Sequence, residues 1–199
     1  MSDPISKTRT IHFAHGDPGS RAIILTILQT LGHDVRLVTE SGAELIAASI
    51  TDPPELIIAA PRLSDMDGIE AMILIGESKP TAGIVVAKSG DLSKVERALE
   101  DHVMAYLVEP ITAETIQPAI FLAEGRFDHF QKLDKKIDRL KNQLEDRKII
   151  ERAKGIVMKV RNLSEEEAHR YLQSCAAKSR KKLVELAETI CAAGDVLQP

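Results

Sequence analysis

The sequence predicts a doubly wound α/β domain followed by an all-helical segment, and three observations lead to this fold class. Over the first 120 residues, short apolar runs alternate with amphipathic stretches, which is the pattern of strands and helices in turn. Runs such as LIIAA and GIVVA are apolar throughout, as expected for parallel strands that helices cover on both faces. From about residue 119 the apolar period becomes helical, and no strand pattern returns.

Five strands and four helices account for the α/β segment. Because single helices separate successive strands, the strands need crossover connections and pair in parallel. The predicted strands lie at residues 10–15, 34–39, 55–60, 83–88 and 104–109. The predicted helices lie at residues 21–32, 42–49, 68–78 and 92–101.

An apolar stripe marks the helical segment that follows. Its members recur at steps of three and four among charged residues, which is typical of a coiled-coil seam; they are Phe130, Leu133, Ile137, Leu140 and Leu144. A helix over residues 119–146 would extend about 40 Å, too far to be buried on one small domain, so we expect a partner helix. A single solvated linker helix is the alternative, because two heptads are fewer than a secure coiled coil shows. Lys136 and Lys141 would face each other in a parallel pair, which disfavours that geometry and leaves the orientation open.

Three short helical patterns complete the chain. The first, IIERAKGIVMKV, is broken by Asn162 and Leu163. The second opens with Ser164 and Glu167 in capping-box spacing, so each side chain can bond a free amide of the helix start. The third places Leu183 and Leu186 on one face, with a predicted end at Gly194.

Composition narrows the class of protein. Residues 146–199 hold 11 Lys and Arg against 8 Asp and Glu, whereas the rest of the chain is acidic, so the last quarter is the basic part. Cys175 and Cys191 lie among apolar residues without metal-ligand spacing, which favours buried free thiols in a reducing compartment. The sequence has no apolar stretch of membrane-spanning length and no signal-peptide core. We therefore expect a cytoplasmic protein.

Three motifs occur in order within residues 9–122: DPGSR, PELIIAAPRLSDMDGIE and AYLVEP. With the alternating pattern they resemble the receiver domain of bacterial response regulators. The resemblance implies a flavodoxin-like (βα)5 fold. It also implies acids after the first strand that hold Mg²⁺, an aspartate ending the third strand that accepts the phosphoryl group, and Ser/Thr and Lys ending the fourth and fifth strands.

In this sequence the residues at those positions lack the required chemistry. The positions hold His15, Gly16 and Asp17 after the first strand, then Ala60, Ala87 and Glu109. An alanine methyl has no oxygen to phosphorylate, and Glu109 would repel a phosphoryl group that the family attracts. Asp65 and Asp67 follow in a turn, where aspartates stabilise the backbone, and a lone His such as His15 is typical of a hydrogen-bonded residue. The sequence thus predicts a degenerate receiver with no metal or cofactor, and Tyr106 at the family's switching aromatic is read as a packing residue or a switch.

A second resemblance covers residues 147–192. The Arg152-Ala153-Lys154-Gly155 core, the Leu163-Ser164-Glu165 turn, Ala168 and the basic run before Leu183 resemble the ANTAR domain, a three-helix RNA-binding module of transcription antiterminators. The order of receiver, coiled coil and ANTAR is also common in that family. Phosphate contacts need cations, and our candidates are Lys154, Lys159, Arg161, Arg170, Lys178, Arg180, Lys181 and Lys182.

These observations predict three segments: a pseudo-receiver at 9–122, a coiled-coil linker at 123–146 and an ANTAR domain at 147–194. We expect a dimeric, phosphorylation-independent antiterminator that binds a stem-loop of a nascent transcript and is controlled by a sensor or other partner. Two rivals stay open: an adaptor that binds protein and no nucleic acid, and a DNA-binding regulator. We expect no enzyme, since the sequence shows no cluster of nucleophile, base and acid.

Overall fold

The computed structural model describes residues 7–88 and 103–196. The described residues form two compact units, divided between Gln131 and Lys132. The helix predicted at 92–101 lies outside the described residues.

The first unit contains one sheet of five parallel strands in the order β2-β1-β3-β4-β5. The strands are β1 (Thr10–Ala14), β2 (Asp34–Thr39), β3 (Leu56–Ala59), β4 (Ala82–Ala87) and β5 (Val103–Val108). This confirms the predicted parallel sheet. Because all strands run the same way, their carboxyl ends meet at one edge, which is where ligand sites of doubly wound folds form.

Three helices connect the strands in the described part of this unit: α1 (Pro18–Thr30), α2 (Gly42–Thr51) and α3 (Gly68–Ser78). Each begins with a polar cap, because the first backbone amides of a helix lack partners within it. Asp17 accepts from the Ser20 amide, Ser41 from Glu44, and Asp67 from Ile69 and Glu70. These caps fix where each helix leaves the edge of the sheet.

Alternate residues of the strands fill two separate cores. Ile11, Phe13 and Ile58 lie on one face of the sheet with Ile24 and Leu28 of α1. Ile57 and Ala59 lie on the other face, packed with residues of α2 and α3. Burial on both faces is the reason why the strand sequences are apolar throughout.

A single helix, α4 (Ala113–Arg161), contributes to both units. Ile116, Ile120 and Ala123 belong to the first core of the sheet domain, and Ala153 and Val157 belong to the core of the second unit. The apolar period predicts a long helix from about residue 119 and a separate helical pattern after it. The structure joins them and begins the helix at Ala113.

The second unit is completed by α5 (Glu165–Ser179) and α6 (Leu183–Val196). The predicted capping box is present, with Ser164 accepting from the Glu167 amide and Glu167 accepting from the Ser164 amide. The last helix continues two residues past the predicted end at Gly194. Ala168 and Leu172 of α5 pack with Ala187 and Cys191 of α6 against the end of α4. This core is small, as expected for about 50 residues.

Candidate functional site

The carboxyl-terminal edge of the sheet holds a cleft of about 690 Å³. It is lined by all six residues predicted for the degenerate phosphorylation pocket, namely His15, Gly16, Asp17, Ala60, Ala87 and Glu109. Each follows or ends a strand, so the parallel sheet brings together residues that are far apart in sequence. A Cβ at Gly16 would lie 2.8 Å from the Arg62 carbonyl oxygen, so only glycine fits between these two loops.

His15 and Glu109 form a polar pair inside this cleft. The His15 Nε2 and the Glu109 Oε1 are 3.0 Å apart, and the Ser20 hydroxyl donates to the Glu109 Oε2 at 2.8 Å. The His15 Nδ1 lies 3.0 Å from the Asp17 amide nitrogen and 3.2 Å from the Asp17 carbonyl oxygen. Because a carboxylate only accepts, the Nε2 of His15 donates to Glu109. The pair ties the ends of β1 and β5 to the start of α1. Sequence reasoning missed this pair. The signal was present, because His15 stands where the receiver pattern has an acid and Glu109 stands where it has Lys.

Asp17, the one acid that remains where the receiver pattern has its metal-binding acids, is already engaged. Its carboxylate caps α1 and accepts from the Lys88 ammonium at 2.8 Å. The hydrogen bond from Lys88, with that from the Ser20 amide, lowers the pKa of Asp17 to about 2. Within residues 7–88 and 103–196, no group of three or more His, Cys, Asp or Glu is arranged to hold a metal ion.

The acceptor and hydroxyl positions are filled by methyl groups. Ala60 is 5% exposed and Ala87 is 3% exposed. Because an alanine side chain is a methyl group, neither residue presents a side-chain oxygen at the bottom of the cleft. The two nearby aspartates act as helix caps. Asp65 accepts from the Ser41 hydroxyl and from the Gly42 and Ala43 amides, and these bonds lower the pKa of its carboxyl to about 2. Asp67 caps α3.

Tyr106 of β5 is half-buried and packs against the core that α2 and α3 cover. A half-buried position fits both a packing residue and a switch, so both readings of Tyr106 stay predictions.

The eight candidate RNA-binding cations lie in the second unit, where Lys154 differs from the others. Lys154 is 7% exposed, and its ammonium lies 2.6 Å from Glu151 and 2.8 Å from Glu165. The hydrogen bonds from Lys154 to Glu151 and Glu165 raise the pKa of its ammonium. In this structure Lys154 ties the end of α4 to the start of α5.

The other seven candidates are exposed and lie at two corners of the unit. The α4–α5 corner comprises Lys159, Arg161 and Arg170 with Lys154. The α5–α6 corner comprises Lys178, Arg180, Lys181 and Lys182. The 15 residues of α5 separate the two by about 21 Å.

The charges at the two corners are balanced differently. At the α4–α5 corner, Arg170 pairs with Glu166 at 3.3 Å, and Glu165 and Glu167 are adjacent. None of the four cations at the α5–α6 corner forms an ion pair with another described residue. One carboxylate is close there, that of Glu185, which accepts from the Lys182 amide at 3.2 Å. Among the described residues, all four cations of the α5–α6 corner therefore lack an ion pair, whereas at the α4–α5 corner only Lys159 and Arg161 do.

Arg180 adopts a left-handed backbone conformation with φ of 54°, at the end of α5. The Lys181 amide donates to the Ala176 carbonyl at 3.1 Å, which completes the terminal turn. Glycine is usual in this position, and a residue with a Cβ costs about 1 kcal/mol or more. Asn162, which directly follows α4, has a similar φ of 51°.

Arg161 stacks on an aromatic ring, which the sequence analysis did not foresee. Its guanidinium carbon lies 4.3 Å from the centroid of the Tyr171 ring, close enough for a cation–π contact. Arg161 and Tyr171 contact each other across the turn between α4 and α5. Their separation in sequence follows no helix or strand period, so the sequence alone does not predict the contact.

The predicted seam on α4 is exposed in the single chain. Its five side chains, Phe130, Leu133, Ile137, Leu140 and Leu144, are 45–56% exposed. None of the helices in the described ranges combines the length and apolar character needed to cross a membrane.

Comparison with known proteins supports the two-part organisation. The model of the response regulator receiver domain matches residues 11–121, which is more than half of the chain, and the ANTAR domain model matches residues 138–190. The Transcriptional regulatory protein PdtaR of Mycobacterium tuberculosis is 28% identical over 182 residues, covering 92% of this chain and 89% of that protein. The Aliphatic amidase regulator of Pseudomonas aeruginosa is 23% identical over 124 residues, covering 62% of this chain and 63% of that protein.

Solved structures show the same fold for the first unit. The signal receiver domain of a modulated diguanylate cyclase from Desulfovibrio desulfuricans matches with a TM-score of 0.57 and 20% identity, covering 61% of this chain and 98% of that domain. A response regulator receiver domain protein from Clostridium thermocellum matches with a TM-score of 0.55 and 22% identity, with the same coverage. The chain belongs to the response regulator receiver family and carries an ANTAR domain after its receiver.

Proposed function

We propose that this protein is an RNA-binding regulator of transcription antitermination. It would bind a stem-loop of a nascent bacterial transcript, in the cytoplasm, and prevent a competing terminator hairpin from forming. The observation that carries this proposal is the coincidence of the ANTAR match with the uncompensated cations of the α5–α6 corner. Two relatives are named as regulators, a transcriptional regulatory protein and an amidase regulator, and these names support a regulatory function.

The α5–α6 corner is the surface that we assign to RNA phosphates. Each phosphate neutralised by Lys or Arg releases counterions, so cations that lack carboxylate partners contribute most. All four cations of the α5–α6 corner meet this condition. At the α4–α5 corner Lys159 and Arg161 also meet it, whereas Lys154 and Arg170 are paired with carboxylates. We therefore assign Lys154 to the fold, and Lys159, Arg161 and Arg170 to secondary contacts.

The backbone of Arg180 supports this assignment. A long cationic side chain stands where glycine would relieve the left-handed conformation. A residue that costs conformational energy without an intramolecular partner is typical of a functional position.

We propose that control does not use phosphotransfer. The two alanines offer no acceptor, Asp17 is paired with Lys88, and Glu109 is held by His15 and Ser20. Treatment with acetyl phosphate and Mg²⁺ should leave the mass of the protein unchanged. A stable adduct of one phosphate would contradict this part of the proposal.

We further propose that the protein acts as a homodimer through the seam on α4. The exposure of these apolar side chains in the single chain supports burial against a second copy. When two ANTAR domains are joined and the first binds one hairpin of a transcript, the effective concentration of the second domain at a neighbouring hairpin rises. A sensor or other regulatory protein would act by preferring one state of this dimer. We assign no catalytic role.

Selection from a pool of random hairpin-loop RNA tests the proposal against its rivals. Enrichment of a loop family by the full chain, with no retention of the same sequences as duplex DNA, is the expected result. No enrichment from the pool would favour the protein-binding adaptor. Preferential retention of duplex DNA would favour a DNA-binding regulator.

A further inference from the structure

Arg161 and Tyr171 form a stacked pair at the α4–α5 corner. The guanidinium carbon of Arg161 lies 4.3 Å from the centroid of the Tyr171 ring, which is within the range of a cation–π contact. Tyr171 is the only Phe, Tyr or Trp in residues 132–199. The single large aromatic side chain of this segment therefore contacts a cation as well as the core.

The Tyr171 ring holds the Arg161 guanidinium in a defined orientation. Tyr171 is half-buried and packs against the core of the second unit. A hydrogen bond with the Cys175 side chain is the main cause that raises the pKa of the Tyr171 hydroxyl, so the hydroxyl end of the ring is held as well. A guanidinium that rests on a fixed ring loses less conformational freedom when it binds a further group.

The opposite face of this guanidinium is available to a ligand. Tyr171 covers one face of the planar group, while Arg161 as a whole is exposed and forms no ion pair within the parts of the chain that the structure describes. Val160, in the same last turn of α4, is 76% exposed, the largest exposed fraction among the large apolar side chains described. A flat cation beside exposed methyl groups suits a flat ligand that has apolar surface.

The charges around the pair favour a neutral ligand group over a phosphate. The four cations of the α4–α5 corner are matched in number by four carboxylates, those of Glu151, Glu165, Glu166 and Glu167. This corner therefore has little net charge to attract phosphates, whereas the α5–α6 corner has four cations and one nearby carboxylate. Nucleobases are uncharged, and unpaired bases of RNA loops stack on aromatic rings and on Arg guanidinium planes.

We propose that the Arg161–Tyr171 pair binds an unpaired base of the RNA loop, which stacks on the face of the guanidinium opposite Tyr171. This inference rests on the proposed function and divides the RNA interface into two parts. Contacts to phosphates position a protein on a nucleic acid, whereas contacts to bases give specificity. The α5–α6 corner thus supplies affinity, and the α4–α5 corner, about 21 Å away, selects an unpaired nucleotide.

The probe is the hairpin that the full chain enriches most from the random pool, with an abasic nucleotide at each loop position in turn. The abasic nucleotide removes one base and retains its phosphate, so the electrostatic attraction is unchanged. For the wild type, we expect the affinity to fall by about tenfold or more at one or more loop positions, as for the loss of a stacked base.

Two variants assign this loss to the pair, and a third is the matched control. Arg161→Lys retains the charge and removes the flat group, so at one of these positions it should bind the intact and abasic hairpins equally, with a salt dependence equal to that of the wild type. Tyr171→Leu keeps an apolar side chain against the core and removes the ring, so it should reduce the same difference. Arg180→Lys makes the same exchange at the α5–α6 corner and should retain the full difference.

Two results would overturn the proposal: no loop position at which the wild type distinguishes intact from abasic RNA, or a difference in Arg161→Lys as large as in the wild type at every position. Arg161→Lys decides alone if circular dichroism shows that Tyr171→Leu is unfolded. With either result, enrichment of hairpin RNA from the pool would still support the proposed function. A chain that enriches no hairpin would refute the proposed function and this inference together.

Discussion

His15 and Glu109 replace an acid and a lysine of the receiver pattern, and the two substitutions compensate each other. Either change alone would leave one polar atom, the His15 Nε2 or the Glu109 Oε1, without its partner at a site that is mostly shielded from water, which is costly. Together they give a 3.0 Å contact that Ser20 extends. A hydrogen-bond network of His15, Glu109 and Ser20 thus occupies the place where the family pattern has its phosphorylation pocket.

Replacing Glu109 by the lysine of the receiver pattern should destabilise the folded protein. Glu109→Lys would place an ammonium against the Nε2–H of His15 and the Ser20 hydroxyl, and we expect a loss of about 1–3 kcal/mol in the free energy of unfolding. Glu109→Gln keeps an acceptor oxygen and should lose less. Urea denaturation measures both, and a Glu109→Lys variant as stable as wild type would show that the pair contributes nothing.

Arg180 allows stability and RNA binding to be separated at one residue. Arg180→Gly relieves the left-handed backbone, so we expect a gain of about 1 kcal/mol in stability together with weaker binding of hairpin RNA. Asn162→Gly is the matched control, because it relieves a similar φ without removing a cation. Asn is less strained there, so its gain should be smaller, and its RNA affinity should equal that of wild type. Loss of stability in Arg180→Gly, or unchanged affinity, would refute the role assigned to Arg180.

At the scale of elements, the strands were predictable and the extent of α4 was not. Each predicted strand in the described sheet lies within about one residue of its observed bounds, because a strand buried on both faces is a continuous apolar run. The predicted start of the long helix at residue 119 is wrong, since α4 begins at Ala113 and continues through Pro118. Proline removes one backbone hydrogen bond near the helix start, and the burial of Ile116, Ile120 and Ala123 on the sheet outweighs that loss.

The candidate site was predictable only in part for a similar reason. The positions around the cleft follow from motifs at strand ends, which a sequence displays directly. The His15–Glu109 pair and the Arg161–Tyr171 stack join residues 94 and 10 positions apart, and neither separation follows a helix or strand period. Such contacts depend on tertiary placement.

Substitution of Gly155 tests whether RNA contacts the surface of α4. A Cβ at Gly155 meets nothing within 4 Å, so packing inside the chain does not require glycine. Gly155→Ala should stabilise the protein by about 1 kcal/mol through helix propensity and should weaken RNA binding, because the methyl group occupies space left for a backbone approach. Gly125→Ala, at a second open position of α4, should give the same gain in thermal stability with unchanged RNA affinity. A fall in stability for Gly155→Ala would show a hidden packing role.

At the scale of the whole molecule, the proposed function needs two copies of the chain. Ile137→Lys places a charge in the middle of the seam and should convert the dimer into monomers, as measured by sedimentation velocity. Asn142→Lys adds the same charge on the opposite side of the helix and should leave the dimer intact. A wild-type protein that sediments as a monomer at micromolar concentration would contradict the proposal that the seam on α4 forms a homodimer.

The most direct test of RNA recognition is the salt dependence of hairpin binding by wild type and by Arg180→Ala/Lys181→Ala/Lys182→Ala. If these side chains neutralise phosphates, the variant should bind more weakly, and the slope of log affinity against log salt should be shallower by about 2, at about 0.7 per contact. Circular dichroism should show unchanged helicity. Equal affinity and equal slope in the two proteins would contradict the claim that the α5–α6 corner binds RNA.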